Sequence, residues 1–352
     1  AEKQTAALKR RLLEWAVFPY DLTEDDLLRC IYIIIKDALA CSHLHMPDNI
    51  VQNFILTIHN SYYNTNAYHN FHHAVDVLQA AYYFMKTSQL MDIGRDASAA
   101  TKSLIHRSFH VHDILALIIA AIGHDIGHPG VNNGFMTACR SPLATLYQDK
   151  AVLEHFHATA LCQIMKRCGF DIARYNPGFN EAEFRYVMVE TILATDMAAH
   201  FDYIEKFRQL KSRCTVEAAA LRRNSVTVSQ QSRLTDRVII CSMLIKCADI
   251  SNVTRPFHVA GSWTNLLNEE MGKQSDLERK LGYPVSMVIS PETSARSQVG
   301  FYRGMALPLF EAAVDLFPSL DFTRENLLEN IKTWEQIQEE QDRRLAAQNE
   351  QR

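Results

Sequence analysis

The chain has 352 residues, 47% of them hydrophobic, and a formal net charge of −4, with an isoelectric point near 6.4. Such a length suits one large domain or two fused ones, and the apolar content is ample for a sizeable core. The balance of charge excludes a strong basic field for nucleic acid or an anionic membrane, and no 18-residue apolar run exists to span one.

Only 12 Gly and 10 Pro interrupt the chain, fewer than average usage would supply, which favours long helices over a many-stranded sheet. The eight cysteines are scattered and form no C-x-x-C pair; Cys241 and Cys247 fall inside apolar runs. Buried, reduced thiols are expected, and with them an intracellular compartment. The opening "AEKQTAALKRRL" lacks Met and carries no signal-peptide pattern. It reads as a trimmed edge, and a soluble cytoplasmic protein is expected.

In chain order, "LTEDDLLRCIYIIIKDAL" opens a helix with Thr23 or Asp21 as its cap and acids in the first turn. "AYHNFHHAVDV" (Ala67–Val77) places His69 and His73 four apart, on one helical face, with His72 pointing elsewhere. Residues 92–112 are small and polar and read as a loop. "DILALIIAAIG" (Asp113–Gly123) is apolar all round, the pattern of a central helix. Residues 211–234 are basic, Ser/Thr-rich and weakly periodic, and read as a mobile loop. "DRVIICSMLIKCADIS" (Asp236–Ser251) returns to a buried helix. Residues 323–352 read as a C-terminal helix, its apolar face carried by Leu327, Ile331 and Trp334. The expected fold is all-α, a single compact multi-helix domain over residues 1–352.

The central helix runs directly into "HDIGHPG". His124 and Asp125 are adjacent, so on a regular helix they would point about 100° apart. Both can face one point only where the helix ends, and Gly123, Gly127, Pro129 and Gly130 supply that break. The pair suits a metal; taken alone, it also fits a hydrogen-bonded helix cap. Asp249 ends another apolar helix, where a carboxylate is costly unless paired or metallated; a capping role remains its alternative. His73, His124, Asp125 and Asp249 together form an N/O donor set suited to zinc or another transition ion. The second oxygen of Asp125 can bridge to a neighbouring ion, and two ions suit phosphoester hydrolysis. Two divalent ions set against two carboxylates and a hydroxide leave one positive charge for a phosphodiester anion.

The pattern H…HD…D resembles the HD superfamily of metal phosphohydrolases. "YHNFHHAVDV", "HDIGHPGVNN", "LATDMAAH", "ADISN" and "SQVGF", in that order, narrow it to a resemblance to the class I cyclic nucleotide phosphodiesterase catalytic domain. The resemblance covers roughly residues 54–316. "AAIGHDIGHPG" and "LEHFH" are most similar to the fungal high-affinity cyclic-AMP enzymes.

The resemblance implies Zn2+ at a first site held by His73, His124, Asp125 and Asp249. It also implies Mg2+ or Mn2+ at a second site bridged by Asp125. His128, Glu154 and Thr195 would hold the second ion's waters, with His157 beside them. His69 matches the general acid for the departing O3′, oriented by Glu270, and a metal-bridging hydroxide would attack phosphorus in line. A carboxylate partner raises a histidine's pKa, as an acid working near neutrality requires. For the base, Gln298 matches the glutamine that hydrogen-bonds the purine, Phe301 the stacking ring, and Leu267 the opposite jaw. Asn252 and Tyr68 match polar cleft groups. The activity implied is hydrolysis of 3′,5′-cyclic nucleotide, with cyclic AMP favoured. Dual cyclic AMP/cyclic GMP hydrolysis and another HD-type nucleotide phosphohydrolase are the alternatives, since a glutamine amide can face either purine.

The chain departs from the family pattern at "LEHFH", where His155 and Phe156 replace Asn and His, and at Ala260, a position often aromatic, which predicts a wider pocket. His43, His45, His59, His106, His110, His112, His200 and His258 are assigned no chemistry. Outside the family motifs, "LRRNSV" sets Arg222 and Arg223 before Ser225, a pattern suited to a basophilic kinase whose acidic cleft pairs with guanidiniums.

Overall fold

Every residue from Asp113 to Gly123 is buried in the computed structural model of the chain, which describes residues 2–93, 108–221, 230–287 and 294–350. The helices are α1 (Glu2–Arg11), α2 (Glu24–Cys41), α3 (Asp48–His59), α4 (Phe71–Thr87), α5 (Val111–Gly123), α6 (Asn133–Ala138), α7 (Pro142–Leu146) and α8 (Val152–Cys168). They continue with α9 (Ile172–Tyr175), α10 (Glu181–Leu193), α11 (His200–Leu221), α12 (Gln230–Asp249), α13 (Phe257–Leu281), α14 (Ser294–Phe301), α15 (Leu307–Leu316) and α16 (Asp321–Glu350). Among the described residues there is no strand, and no helix is long and apolar enough to cross a membrane.

The all-round apolar sequence of α5 makes it the axis, because only a helix enclosed on every side can bury such a surface. It packs against α2, α4, α10 and α12. Its one acid, Asp113, is 1% exposed and is held by Arg237 of α12, whose Nε and Nη2 donate at 2.8 and 2.7 Å. Helix α2 starts as its sequence implies: Thr23 is the cap, its side chain accepting from the Asp26 N–H.

A second buried cation fixes a wall of the site. Arg255, directly after the short 3-10 turn Ser251–Thr254, donates to Asp76 at 2.9 Å and Gln79 at 2.8 Å, both on α4. Its guanidinium also lies 3.9 Å from the centre of the Trp15 ring. The turn that follows Asp249 is thereby tied to the helix that carries His73.

The segment 211–234 differs from its reading as a loop. Residues 211–221 close α11 and 230–234 open α12; 222–229, with Ser225, lie outside the described residues. The polar composition belongs to a solvent-facing helix: Lys211, Ser212, Arg213, Thr215 and Val216 are all exposed. Arg213 ties the two helices through Asp236, and Lys211 reaches the carbonyl of Asp315. In the stretch 92–112, Asp92 ends a 3-10 turn, Val111 and His112 already belong to α5, and 94–107 lie outside the described residues.

Candidate metal and nucleotide site

Helix ends build the site. Helix α5 stops at Gly123, and His124 is its C-cap, still in the right-handed region. The chain then turns sharply, with Gly127 and Gly130 at φ +70° and +74°, where a side chain is strained. At Gly130 space matters as well, since a Cβ would meet Asn66 Oδ1 at 2.8 Å. That Asn66 amide donates to the carbonyls of His69 and His128 at 2.9 and 2.7 Å, joining the two histidine loops.

His69 is not on the helix with His73. Asn70 caps α4, its side chain accepting from the N–H groups of His72 and His73, so His69 lies ahead of the helix. The two rings remain neighbours, with centroids 5.8 Å apart. His72 stacks on Tyr20 at 4.0 Å, away from the site.

His73, His124, Asp125 and Asp249 converge. His73 Nε2 lies 3.2 Å from Asp249 Oδ1 and 3.5 Å from Asp125 Oδ2. His124 Nε2 lies 3.2 Å from Asp125 Oδ2 and 3.3 Å from Asp249 Oδ1. The His124 Nδ1 donates to the Ala121 carbonyl at 2.9 Å, which leaves the lone pair of the neutral ring on Nε2. That atom is buried and, despite its two close carboxylates, has no aligned hydrogen bond. Lone pairs and carboxylates pointing at one place fit a cation between them.

Asp125 also faces a second group. Its Oδ1 lies 3.7 Å from His157 Nε2, another buried atom without a hydrogen bond, because His157 donates through Nδ1 to the Ile126 carbonyl at 2.7 Å. Two donor sets, His73–His124–Asp125 and Asp125–His128–His157, therefore share one carboxylate. His128 uses Nδ1 to accept from the Gly130 N–H at 3.0 Å, so its Nε2 is an N–H donor in the neutral ring.

The buried carboxylates and imidazoles of the cluster shift one another's protonation. Burial disfavours ionisation of Asp125 and Asp249, yet the attraction of His124 and its neighbours holds both well below the usual carboxylate range. His124 is raised well above its ordinary value: burial opposes its charge, and Asp125 and Asp249 outweigh it. Burial pushes His157 down to about 4 and His128 well below its ordinary value. Glu154, half-buried and bridged by two contacts from Asn133 Nδ2 at 2.9 and 3.2 Å, is pushed up to about 7 by desolvation.

Beside the donor cluster, Glu270 of α13 grips His69. Its Oε2 accepts the main-chain N–H groups of Tyr68 and His69 at 2.8 and 2.9 Å, and its Oε1 pairs with the ring Nδ1. Burial works against charge on both, but the pairing wins: His69 is raised and Glu270 lowered. The His69 ring stacks on His128 at 4.0 Å.

A cleft of about 490 Å³ opens over these groups, within the range of small-molecule sites. His69, Asp125, His128, Glu154, His157, Thr195, Asp249 and Glu270 line it, and so do Tyr68, Asn252, Leu267 and Phe301. The Asn252 amide donates to the Tyr68 hydroxyl at 2.6 Å, leaving its oxygen free. His73 and His124 lie beneath, each 1% exposed. Gln298 is not on the lining. It is half-buried on α14, and three residues before Phe301 leaves it about 60° round the helix. Ala260 is likewise buried in α13 rather than lining the cleft. His155 stacks on Tyr147, and Phe156 lies where a Gly127 Cβ would meet it at 3.0 Å; the replaced pair is accommodated without displacing Glu154 or His157.

Sequence reasoning missed Asn133, Asn66, Asp196, Gln274 and three methionines of the lining, Met197, Met271 and Met287. Asn133, Asp196 and Met197 stood in the quoted motifs; the others carried no local signal.

The chain is similar to several known proteins. The chain is 32% identical over 331 residues to the 3',5'-cyclic-nucleotide phosphodiesterase regA of Dictyostelium discoideum, covering 93% of this chain and 38% of that protein. It is 31% identical to the mouse high affinity cGMP-specific 3',5'-cyclic phosphodiesterase 9A, covering 85% of this chain and 51% of that one. It is 30% identical to the human high affinity cAMP-specific and IBMX-insensitive 3',5'-cyclic phosphodiesterase 8A, covering 87% and 36%. The chain thus spans between about a third and a half of the length of these relatives. Among solved structures, yeast caPDE2 in complex with IBMX superposes with a TM-score of 0.77 at 27% identity, covering 96% of this chain and 68% of that one. The phosphodiesterase domain of Salpingoeca rosetta rhodopsin phosphodiesterase superposes at 0.78, over 96% and 94%; at 24% identity that likeness speaks for the fold alone. Residues 68–327, well over half of the chain, match the family described as 3'5'-cyclic nucleotide phosphodiesterase, and the chain belongs to that family.

Proposed function

We propose that this chain hydrolyses 3′,5′-cyclic nucleotides to the 5′-monophosphates, with cyclic AMP as the favoured substrate. The observation that carries the reading is the His69–Glu270 pair beside a donor cluster that shares Asp125, all on one nucleotide-sized cleft. His73, His124, Asp125 and Asp249 would hold Zn2+, and Asp125 with its neighbours Mg2+ or Mn2+. When bound, the ions supply a nucleophilic water at neutral pH and neutralise the phosphate.

The chain's own groups do the rest. Glu270 occupies His69 Nδ1, so Nε2 is the atom left to carry a proton to the O3′ leaving group. Because Glu270 is itself fixed by two main-chain N–H groups, it keeps the ring both oriented and charged. His128 presents an N–H, and Glu154 and Thr195 present oxygens, to the waters around the phosphate. Leu267 and Phe301 offer apolar faces for a purine. Water's oxygen gains the bond to phosphorus as the bond to O3′ breaks.

Dual cyclic AMP/cyclic GMP hydrolysis is the second reading, favoured by near-equal identity to relatives named for each nucleotide. Hydrolysis of both measured side by side decides between them, and turnover of nucleoside triphosphates alone would favour another HD-type hydrolase. We also infer that Ser225, after Arg222 and Arg223, accepts phosphate from a basophilic kinase, adding about −1.5 to −2 charge; mass spectrometry after incubation with the cyclic-AMP-dependent kinase tests it, and an unmodified Ser225 ends the idea.

A further inference from the structure

Two walls of the cleft meet through one buried side chain. One wall is the Thr195–Ala198 stretch that follows α10; the other carries Phe301 at the end of α14. His200, the first residue of α11, is 1% exposed, and its Nε2 donates to the main-chain carbonyl of Met305 at 3.0 Å. A carbonyl only accepts, so Nε2 carries the proton of the neutral ring. Burial, aided by the charge of Lys246, keeps the ring's pKa below its ordinary value against the pull of that carbonyl. The other nitrogen, Nδ1, is buried with no partner, an unfavourable state that a purely space-filling residue would not impose.

The acceptor lies in an unusual place. Residues Tyr302–Ala306 form a π-turn between α14 and α15. Pro308, in the first turn of α15, explains it: with no N–H and a ring that crowds the carbonyl four residues back, it prevents Gly304 from closing an α-helical bond. Such turns concentrate at functional sites. Here the wider turn changes the register between α15, which buries Leu309, Phe310, Ala312 and Ala313, and α14, which presents Phe301 to the cleft.

We propose that His200 is a positioning residue that holds this π-turn against the segment carrying Thr195, and so sets the distance between the Phe301 wall and the reaction centre. The tie is a property of the fold; that the wall holds a purine rests on the function proposed above. His200 touches no reacting atom, so its loss weakens nucleotide binding and leaves the chemistry intact.

The test uses the full chain and three variants. His200→Leu removes the donor, His200→Gln restores an N–H, and Pro308→Ala returns a donor to Gly304 and relaxes the π-turn. In His200→Leu and Pro308→Ala, KM for cyclic nucleotide should rise about 3- to 10-fold, as for one neutral hydrogen bond, with kcat within about twofold. Hydrolysis of bis(p-nitrophenyl) phosphate, which has no purine, should not change, and His200→Gln should recover most of KM. Independently of turnover, amides of residues 302–307 and 309 should exchange with deuterium about tenfold faster in His200→Leu, and calorimetry should show weaker binding of 5′-AMP. Unchanged KM together with unchanged exchange overturns the proposal. Equal losses on the purine and purine-free diesters overturn it too, because they mark a general structural role. If the parent chain cleaves no cyclic nucleotide, the proposed function fails, and the exchange result still decides whether His200 holds the turn.

Discussion

Glu270 holds His69 at two points and Tyr68 at a third: one carboxylate oxygen pairs with the His69 ring, while the other accepts the His69 N–H at 2.9 Å and that of Tyr68 at 2.8 Å. Ring and main chain are fixed together by a residue about 200 positions away in sequence. The carboxylate therefore sets both the direction and the proton affinity of the imidazole. Glu270→Gln should lower kcat and move the alkaline limb of the pH profile to lower pH, because a raised acid pKa is lost with the charge that raises it. An unmoved limb would mean another group titrates.

His69→Ala should cost roughly 10²–10⁴-fold in kcat, the usual range for a general acid, with bound metal unchanged. A cyclic phosphodiester with a better leaving group needs less protonation and should lose less. Equal losses on both substrates would make His69 a phosphate-positioning group.

Asp125 is the shared member of both donor sets. Asp125→Ala should lose occupancy at both positions and several orders of magnitude in activity, since cooperating groups fail together. Elemental analysis of the purified variant measures the first, and two retained ions with near-normal turnover would refute the assignment.

On the cleft walls, Phe301→Ala should raise KM more than Gln298→Ala, because Phe301 lines the cleft and Gln298 does not. Loss of one neutral hydrogen bond at Gln298 would cost about 0.5–1.5 kcal/mol. A larger effect at Gln298 would show that its amide turns into the cleft when nucleotide binds.

Behind Thr195, Lys246 is 2% exposed and donates to the Ala194 carbonyl at 2.9 Å. Burial depresses its pKa to about 8. Its charge is thus disfavoured in the fold: between about pH 8 and 10.5 the unfolded chain binds the extra proton, so this group makes stability rise with pH. The full swing is roughly 3 kcal/mol. Urea unfolding of the parent and Lys246→Met should converge or cross as pH rises through that window; parallel curves would place the charge in solvent.

Arg237→Met should destabilise the protein by about 3–5 kcal/mol, because it strands a buried Asp113 carboxylate. Replacing both residues by apolar ones should recover much of that loss. Chemical denaturation of the single and double variants checks it.

The fold was legible where burial is total. An apolar run such as 114–122, in a chain poor in Gly and Pro, reads as an enclosed helix, and Asp249 or His124–Asp125 stand out because they end such helices. Legibility failed where solvent replaces packing: 211–216 looks like a loop because most of its side chains face water. It failed too where one residue moves a boundary, as Asn70 does by capping α4 and leaving His69 ahead of it. Asn133 and Gln274 act on partners distant in sequence, as Asn66 does on His128, and no local pattern shows that. Gln298 matched a motif whose geometry α14 does not reproduce at the cleft.

In the proposed reaction a water attacks phosphorus while protonated His69 serves O3′ as it leaves. Incubating the metal-loaded chain with 3′,5′-cyclic AMP in ¹⁸O-water, and identifying the product by chromatography and mass spectrometry, tests it directly. The expected product is 5′-AMP with one ¹⁸O on phosphorus; 3′-AMP, or no turnover with both metals bound, would rule the reaction out.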